Sequence, residues 1–60
     1  MMIPGDTVMT RATREWVTVI AIIPLYGQAA KQFGETLVLV HRAQPGELQL
    51  FRPCALVAPS

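Results

Sequence analysis

Gln49 and Phe51 are the residues whose type and spacing most suggest ligand-binding chemistry. They lie two positions apart in the run 47–51, and alternate residues of a β-strand point to the same side of a sheet. A glutamine side chain donates and accepts hydrogen bonds, and a phenylalanine ring offers an apolar surface for stacking. We therefore expect Gln49 and Phe51 to share one face of a strand, opposite Leu48 and Leu50.

The strand that carries these residues follows a turn. Pro45 fixes its own φ at about −65°, and Gly46 accepts the positive φ that the third residue of a type II turn requires. Apolar runs at residues 36–40 and 48–51 flank this turn. Two such runs around a proline–glycine turn predict a β-hairpin.

The whole chain predicts five short strands and one long connection. We expect strands at residues 7–11, 15–23, 35–42, 47–51 and 55–58, with a tight turn of 3₁₀ type at residues 52–54. Residues 25–34 are interpreted as a loop with room for one helical turn at residues 28–33. This order predicts an all-β fold, a small five-stranded SH3-like barrel, in a single domain over residues 1–60.

The second predicted strand is apolar on both faces. Only one face of a small barrel can meet its own core, so the other needs a cover, for which a second copy of the chain is the candidate. Hydrophobic residues make up 52% of the chain, and a domain of this length buries only about 60% of its unfolded surface. Both points favour a homo-oligomer. Strict alternation would place Val17, Val19, Ala21 and Ile23 on one face and Trp16, Thr18, Ile20 and Ile22 on the other.

Composition narrows the classes of function. Cys54 is the only cysteine, so no disulfide can form within the chain, and we interpret it as a small buried apolar group. One histidine and four scattered carboxylates show no metal-ligand spacing. A net charge of +1 makes nucleic acid an unlikely partner, and Arg11, Arg14 and Arg42 are interpreted as solvated strand ends. No apolar run is long enough to span a membrane, and a single reduced cysteine favours the cytoplasm.

The run Ala43–Phe51 (Ala-Gln-Pro-Gly-Glu-Leu-Gln-Leu-Phe) resembles a segment of the plasmid-borne type II, trimethoprim-insensitive dihydrofolate reductases. In that family the pattern is Ala-His-Pro-Gly-Ser-Val-Gln-Ile-Tyr. The chain also has Gly5-Asp6-x-Val8 followed by Trp16, which matches the family's Gly-Asp-Arg-Val and tryptophan spacing. The pair at residues 55–56 matches an Ala-Leu near the family's C-terminus, so the resemblance covers residues 5–56.

The resemblance implies an SH3-like barrel that forms a homotetramer around a pore, in which NADPH and dihydrofolate bind together. The family has no conventional proton-donating acid, and it works chiefly by holding the nicotinamide against the pterin. By position, Gln49 would be the pore-floor glutamine that contacts both ligands. Leu50 would offer its backbone N–H and C=O to the nicotinamide carboxamide, and Phe51 would take the place of the tyrosine near the cofactor.

Two positions depart from the family pattern. Phe51 lacks the tyrosine hydroxyl group. Thr10 stands where the family has the lysine that attracts the anionic ligands, and Arg11 follows it. Thr10 is therefore the cofactor-binding candidate by position, beside Gln49, Leu50 and Phe51.

Two main functions stay open at this point, beside the third possibility of a purely structural oligomerisation domain. The first is an NADPH-dependent dihydrofolate reductase whose catalytic residues are Gln49 and Phe51. The second is a non-catalytic SH3-like module that binds a protein or nucleic acid through residues 25–34 and the edge that carries Arg11 and Arg14. At Gln49 the corresponding alternatives are a ligand contact in a shared pore and a solvated residue on the outer face of a half-buried hairpin.

Overall fold

The computed structural model describes residues 2–44 and 46–57, which form five strands and two short helical segments. An α-helix, α1 (Gly27–Phe33), separates the second and third strands, and a 3₁₀ turn (Pro53–Ala55) precedes the last. About half of the described residues lie in strands, so the predicted mostly-β character is confirmed. The strands are β1 (Thr7–Thr10), β2 (Trp16–Pro24), β3 (Thr36–Arg42), β4 (Glu47–Phe51) and β5 (Leu56–Val57).

The five strands form a single antiparallel sheet in the order β4-β3-β2-β1-β5. The sheet is curled into a half-barrel, with β4 and β5 at its two edges. β4 has the predicted bounds, and β1, β2 and β3 begin or end within one residue of theirs. The predicted last strand included Ala58, which lies outside the described residues.

The β3–β4 hairpin supports the predicted turn at the residue the structure describes. Gly46 has a φ of 80°, the positive value that a type II turn needs at its third residue. Pro45, the other residue on which the turn was predicted, lies outside the described residues. The strands pair so that Arg42 faces Glu47 and Val40 faces Gln49.

One face of the sheet, which we call the inner face, carries the core. Its buried apolar side chains are small, and all but one are valines. β-branched side chains pack well on a pleated surface, which explains why so valine-rich a sequence forms strands. Met2 and Phe51 pack against this cluster from its margins. The buried residues are Val8, Val17, Val19, Val38, Val40 and Leu56.

A β-bulge in β2 corrects the predicted faces of that strand. The pairing of β2 with β3 shifts by one residue and leaves Ile20 without a partner. Paired residues share a face, so Ile22, opposite the buried Val38, lies on the inner face, whereas Ala21 and Ile23 lie on the other. The predicted alternation is correct as far as the bulge and wrong beyond it, because a bulge adds one residue to the two-residue period.

The opposite face of the sheet, the outer face, is also largely apolar. Trp16 and Leu48 are each 58% exposed there, and Leu50 is 49% exposed. The only polar side chains that cross-strand pairing places among them, within the described residues, are Thr7, Thr18 and His41. The predicted second apolar surface therefore exists. Its apolar members are Met9, Trp16, Ala21, Ile23, Leu37, Leu39, Leu48, Leu50 and Val57.

The structure supports the helical turn predicted at residues 28–33, extended to Gly27–Phe33, and corrects the prediction for Cys54. The connection between β2 and β3 is mostly helix, because residues 29–32 (Ala-Ala-Lys-Gln) are good helix formers and Gly34, with a φ of 98°, ends the helix. Cys54 is exposed rather than buried, because it lies in the 3₁₀ turn, in which no residue is buried. No helix in the described part of the chain has the length and apolar character needed to cross a membrane.

Candidate functional site

Three of the four predicted site residues line one cavity. Gln49 and Phe51 on β4 and Thr10 at the end of β1 border a space of about 270 Å³, which we call the Gln49 cavity. β2 and β3 lie between β4 and β1 in the sheet, so it is the curl of the sheet that brings these strand ends together. The other lining residues are Ala12, Thr13, Arg42 and Ala55.

Gln49 lies on the inner side of the sheet, at its open margin. Its cross-strand partner is the fully buried Val40, and paired residues share a face. Gln49 itself is exposed, because β4 is an edge strand and the core ends beneath it. The alternative of a solvated residue on the outer face is therefore wrong about the face, although it is right about the exposure.

Arg42 connects Gln49 to Glu15. Arg42 Nη1 donates to Gln49 Oε1 at 3.2 Å, and Nη2 donates to Glu15 Oε1 and Oε2 at 3.2 and 3.0 Å. Glu47 Oε1 lies 3.6 Å from Nη1, which is an ion contact too long for a hydrogen bond. Two carboxylates thus flank one guanidinium, so Arg42 is not a free cation that could bind a phosphate.

Thr10 is buried, and its hydroxyl group stabilises the connection between β1 and β2. Thr10 Oγ1 accepts a hydrogen bond from the Glu15 N–H at 3.1 Å and lies 2.6 Å from Thr13 Oγ1, where either hydroxyl can donate. The Thr10 N–H donates to the Glu15 carbonyl at 2.9 Å, and the Thr10 carbonyl accepts from the Arg14 N–H at 2.8 Å. These contacts shape the cavity wall, and a direct contact of Thr10 with a cofactor stays a prediction.

The side chain of Leu50 lies on the outer face, away from the Gln49 cavity. The role that the resemblance implies for Leu50 belongs to its backbone N–H and C=O, so the position of the side chain does not test it. β4 is an edge strand, so backbone groups on one of its sides have no neighbouring strand in this sheet. In antiparallel pairing these groups alternate along the strand, so either Leu50 or its two neighbours direct their N–H and C=O away from β3.

Sequence reasoning missed the role of Arg42, which it interpreted as a solvated strand end. The hairpin register contained part of the signal. Arg42 pairs directly with Glu47, and Gln49, two residues farther along β4, lies diagonally across from Arg42 on the same face. The contact with Glu15 spans 27 residues of sequence and had no local signal.

Comparison with known proteins identified no relative. A scan against models of protein families found no match, and searches of curated proteins and of solved structures found none either. Within residues 2–44 and 46–57, no group of three or more histidine, cysteine or acidic side chains is arranged to hold a metal ion.

The substitution Thr10→Val tests the structural role of the buried hydroxyl group. It keeps the side-chain shape but leaves the Glu15 N–H without its side-chain acceptor, so we expect the free energy of unfolding to fall by about 1–2 kcal/mol. Urea denaturation at one fixed chain concentration measures the change. Thr7→Val, at an exposed position of the same strand, is the matched control and should change stability by less than about 0.5 kcal/mol. Equal effects of the two substitutions would contradict the role assigned to Thr10.

Proposed function

We propose that this chain is the subunit of a self-associating SH3-like barrel that reduces dihydrofolate with NADPH, like the type II reductases that residues 43–51 resemble. One observation carries the proposal. Gln49, Phe51 and Thr10, which the resemblance assigns to the cofactor site, line the same cavity although β4 and β1 are not neighbours in the sheet. The strand order and the β3–β4 hairpin are compatible with a barrel of this kind.

The size of the Gln49 cavity suits one ring of a ligand better than a whole dinucleotide. Its volume of about 270 Å³ lies just below the range of roughly 300–1,000 Å³ typical of pockets for drug-sized molecules. Phe51 provides an apolar wall and Gln49 a polar group. The rest of a dinucleotide would need walls from a second copy, which is why self-association is part of the proposal.

The outer face supports self-association. Monomeric proteins rarely expose contiguous apolar patches larger than a few hundred Å², whereas Trp16, Leu48 and Leu50 are each about half exposed on one side of this sheet. Leu48 and Leu50 alternate along β4 with Gln49 and Phe51. A second copy that covered the leucines would therefore contact the same strand that carries the site.

The proposed chemistry depends on positioning. NADPH supplies a hydride ion when it is bound. Gln49 would orient a ring through its carboxamide group, and Phe51 would hold the ring by stacking and by excluding water. Among the described residues that line the cavity, none is a carboxylic acid or a histidine, so the site offers orientation of two reactants rather than proton transfer from a side chain.

Gln49→Ala is the substitution that tests the site. We expect it to abolish NADPH binding and dihydrofolate-dependent NADPH oxidation, because it removes the carboxamide group that orients the ring. We also expect the free energy of unfolding to change by less than about 0.5 kcal/mol, because Gln49 is exposed. Binding is measured by calorimetry and oxidation by the loss of NADPH absorbance. Gln28→Ala, at an exposed position of α1, is the matched control and should leave both unchanged.

Two results would overturn this proposal in different ways. If the unsubstituted chain oxidises no NADPH in the presence of dihydrofolate at high protein concentration, it is not a reductase. If Gln49→Ala changes neither the fold nor the affinity for NADPH, the site is assigned to the wrong residue.

A non-catalytic module that binds nucleic acid is the second candidate function, and two exposed arginines favour it. Arg11 and Arg14 flank Ala12 and Thr13, which line the Gln49 cavity. Neither arginine forms a salt bridge with any residue that the structure describes. Unpaired cations on an exposed turn are suited to phosphate contacts.

Salt dependence separates the two candidates. A nucleic-acid module should bind a short single-stranded or duplex oligonucleotide at about 50 mM salt and much more weakly at about 200 mM salt. The reason is that binding releases counterions from the nucleic acid, and added salt opposes that release. Replacing Arg11 and Arg14 together by alanine should lower the slope of log affinity against log salt by about two, whereas replacing Lys31 and Arg52 should not. Absence of binding to either polymer at the lower concentration would remove this candidate. Loss of NADPH binding in the same double variant would assign the arginines to cofactor phosphates instead.

A further inference from the structure

Arg42 determines which atom of the Gln49 carboxamide is free to face the cavity. Its Nη1 lies 3.2 Å from Gln49 Oε1. A guanidinium group carries hydrogen-bond donors and no acceptor, so the carboxamide atom that it contacts must be the oxygen. The amide nitrogen, Nε2, forms no hydrogen bond with any residue that the structure describes. It is therefore the polar atom that Gln49 can offer to a ligand.

The position of Arg42 is itself fixed by the fold. Its Nη2 donates to both carboxylate oxygens of Glu15, and Glu15 is held by main-chain and side-chain hydrogen bonds to the buried Thr10. Only 25% of the Arg42 side chain is exposed. A continuous set of hydrogen bonds therefore runs from the buried end of β1, through Glu15 and Arg42, to the carboxamide of Gln49.

The charges around Arg42 bear on which ligands the site can bind. The positive guanidinium of Arg42 lies against two negative carboxylates, those of Glu15 and Glu47. The three side chains together therefore have a formal net charge of −1. Neither carboxylate lines the cavity, but together they neutralise the guanidinium, so a ligand carboxylate or phosphate would gain no net attraction from these three side chains. An uncharged acceptor, such as a carbonyl oxygen, needs no such attraction and can accept directly from the Gln49 amide.

We propose that Arg42 is a positioning residue that holds the Gln49 carboxamide with its oxygen turned toward the guanidinium and its N–H groups turned toward the cavity. The site then takes a ligand group that is neutral and accepts hydrogen bonds, such as the carbonyl of a ring carboxamide or of a pterin. The choice of NADPH as the probe rests on the proposed function. The orientation of the amide does not.

The restraint that Arg42 places on the Gln49 amide can be measured without a ligand. The side-chain amide signals of Gln49 in a ¹⁵N NMR spectrum are assigned by their loss in Gln49→Ala, and ¹⁵N relaxation then reports their mobility. We expect the amide to be ordered in the unsubstituted protein, and in Arg42→Met to become as mobile as that of Gln28 on α1. Lys31→Met removes the same charge at a residue outside the cavity and should leave the Gln49 amide ordered. Unchanged mobility in Arg42→Met would overturn the inference.

The donor role is tested by binding. Arg42→Met should weaken NADPH binding about tenfold, the effect of losing one charge-assisted hydrogen bond that orients the amide. Gln49→Glu keeps an acceptor for Arg42 but has no N–H to offer, so it should lose NADPH binding as fully as Gln49→Ala while its urea midpoint stays at or above that of the unsubstituted protein. Tight NADPH binding by Gln49→Glu would show that a donor is not what the ligand uses. Gln49→Glu also provides this test if Arg42→Met does not fold.

The two failures can be told apart. If the unsubstituted protein binds no NADPH, the proposed function fails, and the mobility of the Gln49 amide alone decides the role of Arg42. If NADPH binds, but Arg42→Met neither loosens the amide nor weakens binding, the role of Arg42 is wrong and the proposed function stands.

Discussion

A sheet that is apolar on both faces cannot cover both of them with sixty residues. The inner face buries a cluster of six small or medium side chains, whereas Trp16, Leu48 and Leu50 on the outer face stay about half exposed. The chain has only five basic and four acidic residues with which to solvate its surface. A core this small gives little margin of stability, so burial of the second face would contribute a large part of what keeps the fold intact.

The candidate site occupies the place where the valine core ends. Val38 and Val40 are buried on β3, and the next inner-face position of that strand is Arg42. On β4 the position opposite Val40 is Gln49. Polar side chains therefore replace apolar ones at one open end of the half-barrel, and Phe51 retains an apolar wall beside them. The cavity follows from this change in composition along the strands, together with the curl that brings the end of β1 close.

The sequence was sufficient to predict the features that depend on local chemistry. Dense β-branching predicted β2, the proline–glycine turn predicted the β3–β4 hairpin, and the period of two predicted that Gln49 and Phe51 share a face. The bulge at Ile20 was not predictable, because no glycine or polar residue marks it. The resulting exchange of faces along β2 was therefore missed as well.

Features that depend on distant parts of the chain were also missed. Thr10 pairs with Leu56 of β5 and is hydrogen-bonded to Thr13 and Glu15, and Glu15 reaches Arg42 only once β2 and β3 have paired. The network that orients Gln49 is thus a product of the tertiary structure, whereas the hairpin that carries Gln49 is a product of local sequence.

We propose above that copies of this chain cover each other's outer faces, so that β4, which carries Gln49 on its other side, lies in the contact between copies. Light scattering of the purified chain over a range of concentrations, with and without NADPH, tests it most directly. We expect a mass that is a multiple of the single subunit at micromolar concentration, and a shift to the single-subunit mass when Leu50 on the outer face is replaced by arginine. A stable single-subunit mass for the unsubstituted chain at every concentration, with NADPH present or absent, would contradict the claim.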